Sequence, residues 1–411
     1  MRILHVLHQY LPEHVGGSEL YTRWLASEQV RRGHRVAIFH RRDAEGPSTL
    51  SHRRDQGVDL WSAGSGRLGH VSRLASSFRE PGLVRDFERV LDMARPEVVH
   101  VQHLMGLPLE LPKRLRRRGI PFAITLLDFW WVCVNARALT KNSREVCDGP
   151  GLGFVNCARC GVARDPRVLP LAPALAGVLA WRNRKLRGVL LSAGRLIAPT
   201  EFVRGWYAAR GAPADRIEVI PLALEHSPGI ARALRPADRP VRFGYIGALS
   251  EQKGVHVAIE AFAGLRGEAE LWIGGDERFE PEYVARLKAL AGPGVRFLGA
   301  LSREQVWDTL AEVDVVLAPS IWYETFCLSV SEAFVAGRPV IASDLGALAD
   351  RVRPGTDGLL VKPGNVAAWR AALQRLADDP GLVERMGAAM RPPQTMEQVA
   401  EQVEAVYEAI R

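Results

Sequence analysis

Short apolar runs recur along this chain, spaced so that one helix fits between each and the next. Ile3-Leu4-His5-Val6-Leu7-His8, Val36-Ala37-Ile38-Phe39, Val98-Val99-His100-Val101, Phe122-Ala123-Ile124-Thr125-Leu126, Leu196-Ile197-Ala198 and Ile217-Glu218-Val219-Ile220 read as strands. Strands with one wet face alternate polar and apolar residues, whereas continuous apolar runs mark strands covered on both faces, as in helix-flanked parallel sheets. A helix over 18–32, stopped by Gly33, fits between the first two. The pattern restarts after a Pro- and Arg-rich stretch at 227–240, with strands expected at 241–246, 269–273, 295–298, 313–317 and 340–342. The expected class is therefore α/β: a doubly wound domain over 1–224, a second over 225–395, and a closing helix at 396–411 packed on the first. Ligands of such sheets bind beyond the carboxyl ends of the strands. Gly16-Gly17 and the loop holding Glu324 both lie at such ends, so the domains are expected to face each other across a cleft.

At 411 residues, two separate cores are affordable in length. Apolar residues at 47% and charged ones at 24% are ordinary for a soluble globular chain. No run of 18 apolar residues occurs and no signal peptide precedes the first strand, which predicts a cytoplasmic protein. The formal charge of +8 is concentrated in the first domain, while acidic residues outnumber basic ones in the second. That asymmetry suggests an anionic partner for the first half, such as a membrane surface at the inner face or a charged acceptor. Nucleic acid is not expected, because the basic residues are scattered and carry no binding motif.

The most informative chemistry lies between Glu324 and Glu332, in Glu-Thr-Phe-Cys-Leu-Ser-Val-Ser-Glu. A buried strand precedes it, and Gly337-Arg338-Pro339 ends the helix that follows. Glu324 should precede the helix N-terminus and Glu332 should lie about two turns inside it, with roughly 10 Å between the carboxylates. The free N–H groups of Phe326, Cys327 and Leu328 would then form an anion site between them. A nucleoside diphosphate sugar has that layout, with sugar hydroxyls, a diphosphate and ribose hydroxyls in turn. The plainer alternative is a loop charge at Glu324 and a solvent-facing one at Glu332.

These residues resemble the donor-site motif of the retaining glycosyltransferases of family four, which have the GT-B fold of two facing Rossmann-like domains. Further pieces occur in the family's order: Gly16-Gly17-Ser18-Glu19, Arg32-Gly33-His34-Arg35-Val36, Ala198-Pro199-Thr200-Glu201-Phe202, Gly247-Ala248-Leu249 with Lys253-Gly254, and Gly355 with Gly358-Leu359-Leu360. The resemblance implies that Glu332 binds ribose hydroxyls, Glu324 contacts the sugar, Lys253 neutralises the diphosphate, and Gly16 and Gly17 admit the donor to the first domain's backbone. It implies a UDP- or GDP-sugar donor and a hydroxyl acceptor, which could be lipid-linked, in surface polysaccharide, glycolipid or natural-product assembly. Lys253, a helix N-terminus and glycine-loop amides can stabilise a departing diphosphate without a metal. Two positions depart from the family. Ala248 stands where an arginine is usual, and Leu127 where a histidine precedes the aspartate. Asp128 or His103 is expected to serve the acceptor side instead. An epimerase or hydrolase of this fold, or a sugar-nucleotide-binding protein without catalysis, are the competing readings.

Cys133, Cys147, Cys157 and Cys160 fall in one insertion at 133–160, the last two as Cys-Ala-Arg-Cys. That spacing suits a structural Zn²⁺, with disulfides, free thiols or an iron–sulfur cluster as alternatives, in a segment expected to shape the acceptor pocket. A similar pattern of spaced cysteines marks a subset of the family. The apolar stretch 168–181, followed by Arg182, Arg184, Lys185 and Arg187, is too short to span a bilayer. It reads either as a helix buried in the first domain or as one lying in a membrane interface. The basic run 113–118 reads as a solvated helix end.

Overall fold

A computed structural model describes residues 1–44, 49–66, 77–78, 80–141, 143–163, 170–225 and 239–411. Most of the 227–240 stretch, and the first two residues of the 168–181 stretch, lie outside the described residues. The chain divides into two compact units, Met1–Glu225 with Gln394–Arg411, and His226–Pro393.

The first unit is built on β1 (Arg2–Leu7), β2 (Arg35–Asp43), β3 (Leu50–Asp55), β4 (Val58–Ser65), β5 (Val98–Val101), β6 (Phe122–Thr125), β7 (Arg195–Ala198) and β8 (Ile217–Val219). They form one sheet in the order β3-β4-β2-β1-β5-β6-β7-β8, parallel except for the β3–β4 pair. Continuous apolar strands are buried as expected; β5 and β6 expose nothing. The β3–β4 hairpin was not expected. Its edge strand Leu-Ser-His-Arg-Arg-Asp is polar and mostly exposed, and its tight turn has positive φ at Gln56 (48°) and Gly57 (84°), as a two-residue hairpin requires.

The closing helix Met396–Ile410 begins with a capping box at Thr395 and Gln398 and packs on the helix Gly17–Arg31 and on β6. Polar contacts fix its register. Tyr407 O–H bonds His100 Nδ1 at 2.7 Å, and Glu404 accepts from Arg32 Nε at 3.0 Å.

The second unit has β9 (Val241–Ile246), β10 (Ala269–Gly274), β11 (Val295–Gly299), β12 (Val315–Ala318), β13 (Val340–Ser343) and β14 (Gly358–Val361). The order is β11-β10-β9-β12-β13-β14, all parallel. Phe243, Leu271, Ile273, Leu317 and Ile341 from the strands pack with Val255, Ile259, Trp369 and Leu373 from the flanking helices. In each sheet the strand order reverses at one strand, β1 between β2 and β5 or β9 between β10 and β12, so the loops leaving there open a switch point.

Candidate functional site

In the second unit the loops after β9 and β12 adjoin because those strands pair at the switch point. They are locked together. Ile321 N–H donates to the Gln252 carbonyl at 3.0 Å. Gly254, at φ +69°, lies so near Pro319 that an added Cβ would sit 2.0 Å from the carbonyl oxygen, which no other residue tolerates. This docking delivers Lys253 to Glu324, with Nζ 2.8 Å from Oε1.

Ser320 Oγ at 2.6 Å and Trp322 Nε1 at 2.9 Å donate to that same oxygen. Oε2 receives no hydrogen bond from the described residues and is left to accept one from a ligand hydroxyl. Burial pushes the Glu324 pKa up, but the Lys253 charge and the three donors outweigh it and leave it below the ordinary value. Burial pulls Lys253 down, and the Glu324 charge more than reverses that. Both shifts describe one ion pair, charged at neutral pH.

Downstream, Cys327 adopts a left-handed backbone (φ 69°) and caps the helix Leu328–Val335. The N–H groups at such a start have no intrahelical acceptor and carry the positive end of the dipole, so the backbone at Phe326, Cys327 and Leu328 offers donors of the kind that suit an anion. Arg351 holds this turn from behind. Its Nη1 donates to the Phe326 and Cys327 carbonyls at 2.6 and 2.7 Å, its Nη2 to Ser331 Oγ at 2.7 Å, and the guanidinium lies 3.7 Å from the Phe326 ring centre. With the carbonyls tied back, the N–H groups face the other way. Burial raises the Cys327 pKa, so it is a neutral thiol here and contributes only backbone to the anion site.

Glu332 is the fifth residue of the helix, one turn inside rather than the expected two, because the helix starts only at Leu328. It is 6% exposed and pairs with Arg303, not with solvent. Ala248 is exposed and supplies no cation; its carbonyl accepts from Tyr245 O–H at 2.7 Å. Sequence reasoning missed Arg351 and Arg303. The first is bound to main-chain carbonyls some 24 residues away, a contact with no sequence signature.

In the first unit, Gly16 has an extended backbone and caps the helix Gly17–Arg31. An added Cβ there would lie 2.6 Å from Glu19 Oε2. Glu19 is buried, accepts from Gln9 Nε2 at 3.0 Å, and its pKa is raised chiefly by that burial. His103, after β5, and Asp128, after β6, come together with Nε2 2.8 Å from Oδ2. Met105 N–H donates to His103 Nδ1 at 3.0 Å, so the ring proton sits on Nε2 and points at the carboxylate. Trp130 N–H takes Asp128 Oδ1 at 2.9 Å. Both nitrogens of His103 are thus engaged, Nδ1 by Met105 and Nε2 by Asp128, which keeps 30% of its side chain exposed. Leu127 is buried beside it and offers no polar group. His100 joins His5, Gln29, Gln102, Thr125 and Tyr407 in a network inside the sheet.

The cysteines do not form the expected metal site. Among the described residues no group of three or more His, Cys, Asp or Glu side chains is arranged to hold a metal ion. Cys133 Sγ donates instead to Asn135 Oδ1 at 2.7 Å, Cys147 Sγ turns to the Gly149 carbonyl at 3.6 Å, and Asn135 Nδ2 reaches Cys160 Sγ at 3.7 Å. All five cysteines are free thiols. The Asn135 amide thus bonds both Cys133 and Cys160, and the four thiols lie near enough to act on one another electrostatically.

A carboxylate fixed by three donors, a half-buried lysine and an open helix start thus lie together in one unit. The chain belongs to the group 1 glycosyltransferases: residues 240–379 match the family described as Glycosyl transferases group 1 and residues 16–223 the Glycosyl transferase 4-like domain. A glycogen synthase of Mycobacterium tuberculosis is 32% identical over 396 residues, covering 95% of this chain and 89% of that protein. Among solved structures, sucrose-phosphate synthase from Thermosynechococcus elongatus shares the fold, with a TM-score of 0.70 at 20% identity over 99% of this chain and 98% of that one. So does HepE of Anabaena, solved with UDP and glucose, with a TM-score of 0.65 at 17% identity over 100% and 98%.

Proposed function

We propose that the chain is a retaining transferase moving a hexose from a UDP- or GDP-sugar to a hydroxyl acceptor. The carrying observation is the Lys253–Glu324 pair fixed beside the open helix turn at Phe326–Leu328. In this reading the bond between the anomeric carbon and the diphosphate oxygen breaks, and its electrons pass to the diphosphate. Lys253 and the open N–H groups stabilise the charge that develops there. Glu324 Oε2 holds a sugar hydroxyl, its other oxygen being locked by three donors. Glu332, oriented by Arg303, accepts from the ribose. The acceptor hydroxyl attacks from the leaving-group face and gives its proton to the departing phosphate, so no protein nucleophile is required. Gly16 and Gly17 lie at the first unit's switch point, and Asp128 of the same unit, oriented by His103, binds the acceptor in place of the histidine that Leu127 replaces. HepE of Anabaena, solved with UDP and glucose and with UDP-glucose, supports this donor class. A cytoplasmic pool of donor would place the reaction there.

Donor panels scored for nucleotide release, with and without acceptors, test the reading. Acceptor-dependent release with Glu324→Gln lowering turnover about 10²–10³-fold, and nucleotide binding nearly kept, is the expected result. Acceptor-independent release would make it a hydrolase, and unchanged turnover in Glu324→Gln would remove the residue from the chemistry.

A further inference from the structure

We propose that the outer face of the helix Ala172–Ser192, with the corner that precedes it, is a docking surface for an anionic lipid bilayer. Six of the eleven large hydrophobic residues exposed in the described chain fall in this one region: Leu152, Val155, Leu171, Val178, Trp181 and Leu191. Scattered singly such residues mean nothing, but a local concentration marks an interaction surface.

The helix explains how they come to be there. Leu179, Leu186, Val189 and Leu190 point into the first unit and are buried. Leu171, Ala174, Val178, Trp181 and Lys185 follow the spacing i, i+3, i+7, i+10, i+14, which places them in one narrow stripe flanking the buried face, with the Trp181 ring centre 4.5 Å from that of Phe78. That stripe runs about 21 Å at 1.5 Å per residue. Leu171 is 62% exposed, Val178 45% and Trp181 47%. The helix has the length of a span but is too charged to cross a bilayer, with Arg182, Arg184, Lys185 and Arg187 in its second half; among the described residues no helix is both long and apolar enough.

Charge selects the occupant. Arg159, Arg184 and Lys185 are exposed along this region, and among the described residues no carboxylate pairs with them. From residue 151 to 192 the sequence holds a single acidic residue, Asp165. Lys185 lies with Nζ 5.7 Å from the Trp181 ring centre, its stem along the indole and its charge at the stripe's edge. In the basic run of the helix Leu111–Arg117, Arg114 pairs with Glu88 and Glu110 and Arg118 with Glu88 and Asp92, while Lys113, Arg116 and Arg117 rim no apolar stripe, since none of the exposed large hydrophobic residues falls on that helix. An apolar stripe with an indole and a rim of uncompensated cations fits acyl chains beneath anionic headgroups. A second copy would bring like charges together across the same face, and nucleic acid would leave the apolar stripe against water.

The test uses the full chain and needs no turnover, so its outcome is separate from the transfer reading. Flotation with vesicles of phosphatidylcholine alone, and with phosphatidylglycerol added, should show binding only to the anionic vesicles, weakened by salt. The double variant Val178→Glu/Trp181→Glu should lose it by at least about tenfold, and Arg184→Gln/Lys185→Gln should remove the dependence on phosphatidylglycerol. Circular dichroism and thermal melting of both variants confirm that these surface changes leave the fold intact. Wild-type protein that stays soluble with both vesicle types, or a Val178→Glu/Trp181→Glu protein that binds as well as wild type, overturns the proposal. So does a concentration-dependent dimer that this variant dissociates, which would give the face to a second copy.

Discussion

Each sheet buries a set of polar side chains close to its switch point, and the two sets are kept in opposite charge states. In the second unit Lys253 and Glu324 are ionised partners, with Arg351 nearby at a pKa pulled down to about 10 by burial and thus still charged at neutral pH. In the first unit His5, His100, Gln29, Gln102, Thr125 and Tyr407 form a connected network in which the histidines are neutral. Burial lowers the His5 pKa to about 4 and that of His100 well below its ordinary value. A buried network of neutral groups fixes register and helix docking, since every member needs its partner. A buried ion pair is poor value for stability alone, so its retention beside an open helix start points to chemistry.

Removing one charge breaks the comparison most severely. Lys253→Met leaves the Glu324 carboxylate 5% exposed and without its counter-ion. Breaking a buried pair in this way typically costs about 3 kcal/mol or more. Turnover should fall about 10²–10³-fold, because the diphosphate loses its cation and the carboxylate its fixed position. Denaturant unfolding and single-turnover assays read the two effects separately. A variant with both properties intact would remove Lys253 from both roles.

Arg351 tests whether the anion turn is built or merely permitted by the chain. Arg351→Met frees the Phe326 and Cys327 carbonyls and leaves a non-glycine residue at φ 69° with nothing holding it. Affinity for a nucleoside diphosphate should drop about tenfold, with kcat less affected, since the residue acts on the cradle and not on the reacting carbon. Arg351→Lys, able to meet one carbonyl, should recover part of it. Equal losses in both variants together with a large fall in thermal stability would reduce Arg351 to a packing role.

The same contrast explains which parts were legible in the sequence. Continuous apolar runs announced the buried parallel strands because a strand covered on both faces has no other way to read. The β3–β4 hairpin was hidden for the converse reason: Leu50–Asp55 is an edge strand, wet and polar, and its only signal was Gln56-Gly57. The Glu324–Glu332 spacing was readable because a helix start imposes it locally. The helix onset at Leu328 was not, since it depends on a left-handed Cys327 held by a distant arginine. Spacing likewise brought the four cysteines together, but it could not show the Asn135 amide that bonds two of them.

Acid separates the two sets with the smallest perturbation. His5 has a folded pKa of about 4 against an ordinary 6.5, so the unfolded chain binds the extra proton first. Its contribution is complete above 6.5 and is lost as the pH falls toward 4, up to about 3 kcal/mol from the size of the shift. His100 and His40, both lowered mainly by burial, act in the same direction. Glu324, with its pKa below the ordinary carboxylate value, keeps its contribution through this window and loses it only at lower pH. Denaturant unfolding between pH 7 and 4 should therefore show stability falling first in the sheet of the first unit. Hydrogen exchange should show β1 and β5 amides losing protection while β9 and β12 hold theirs. A His5→Asn variant should flatten that slope. If β9 and β12 open first, the ion pair and not the neutral network is the acid-sensitive element, and the assignment of charge states is reversed.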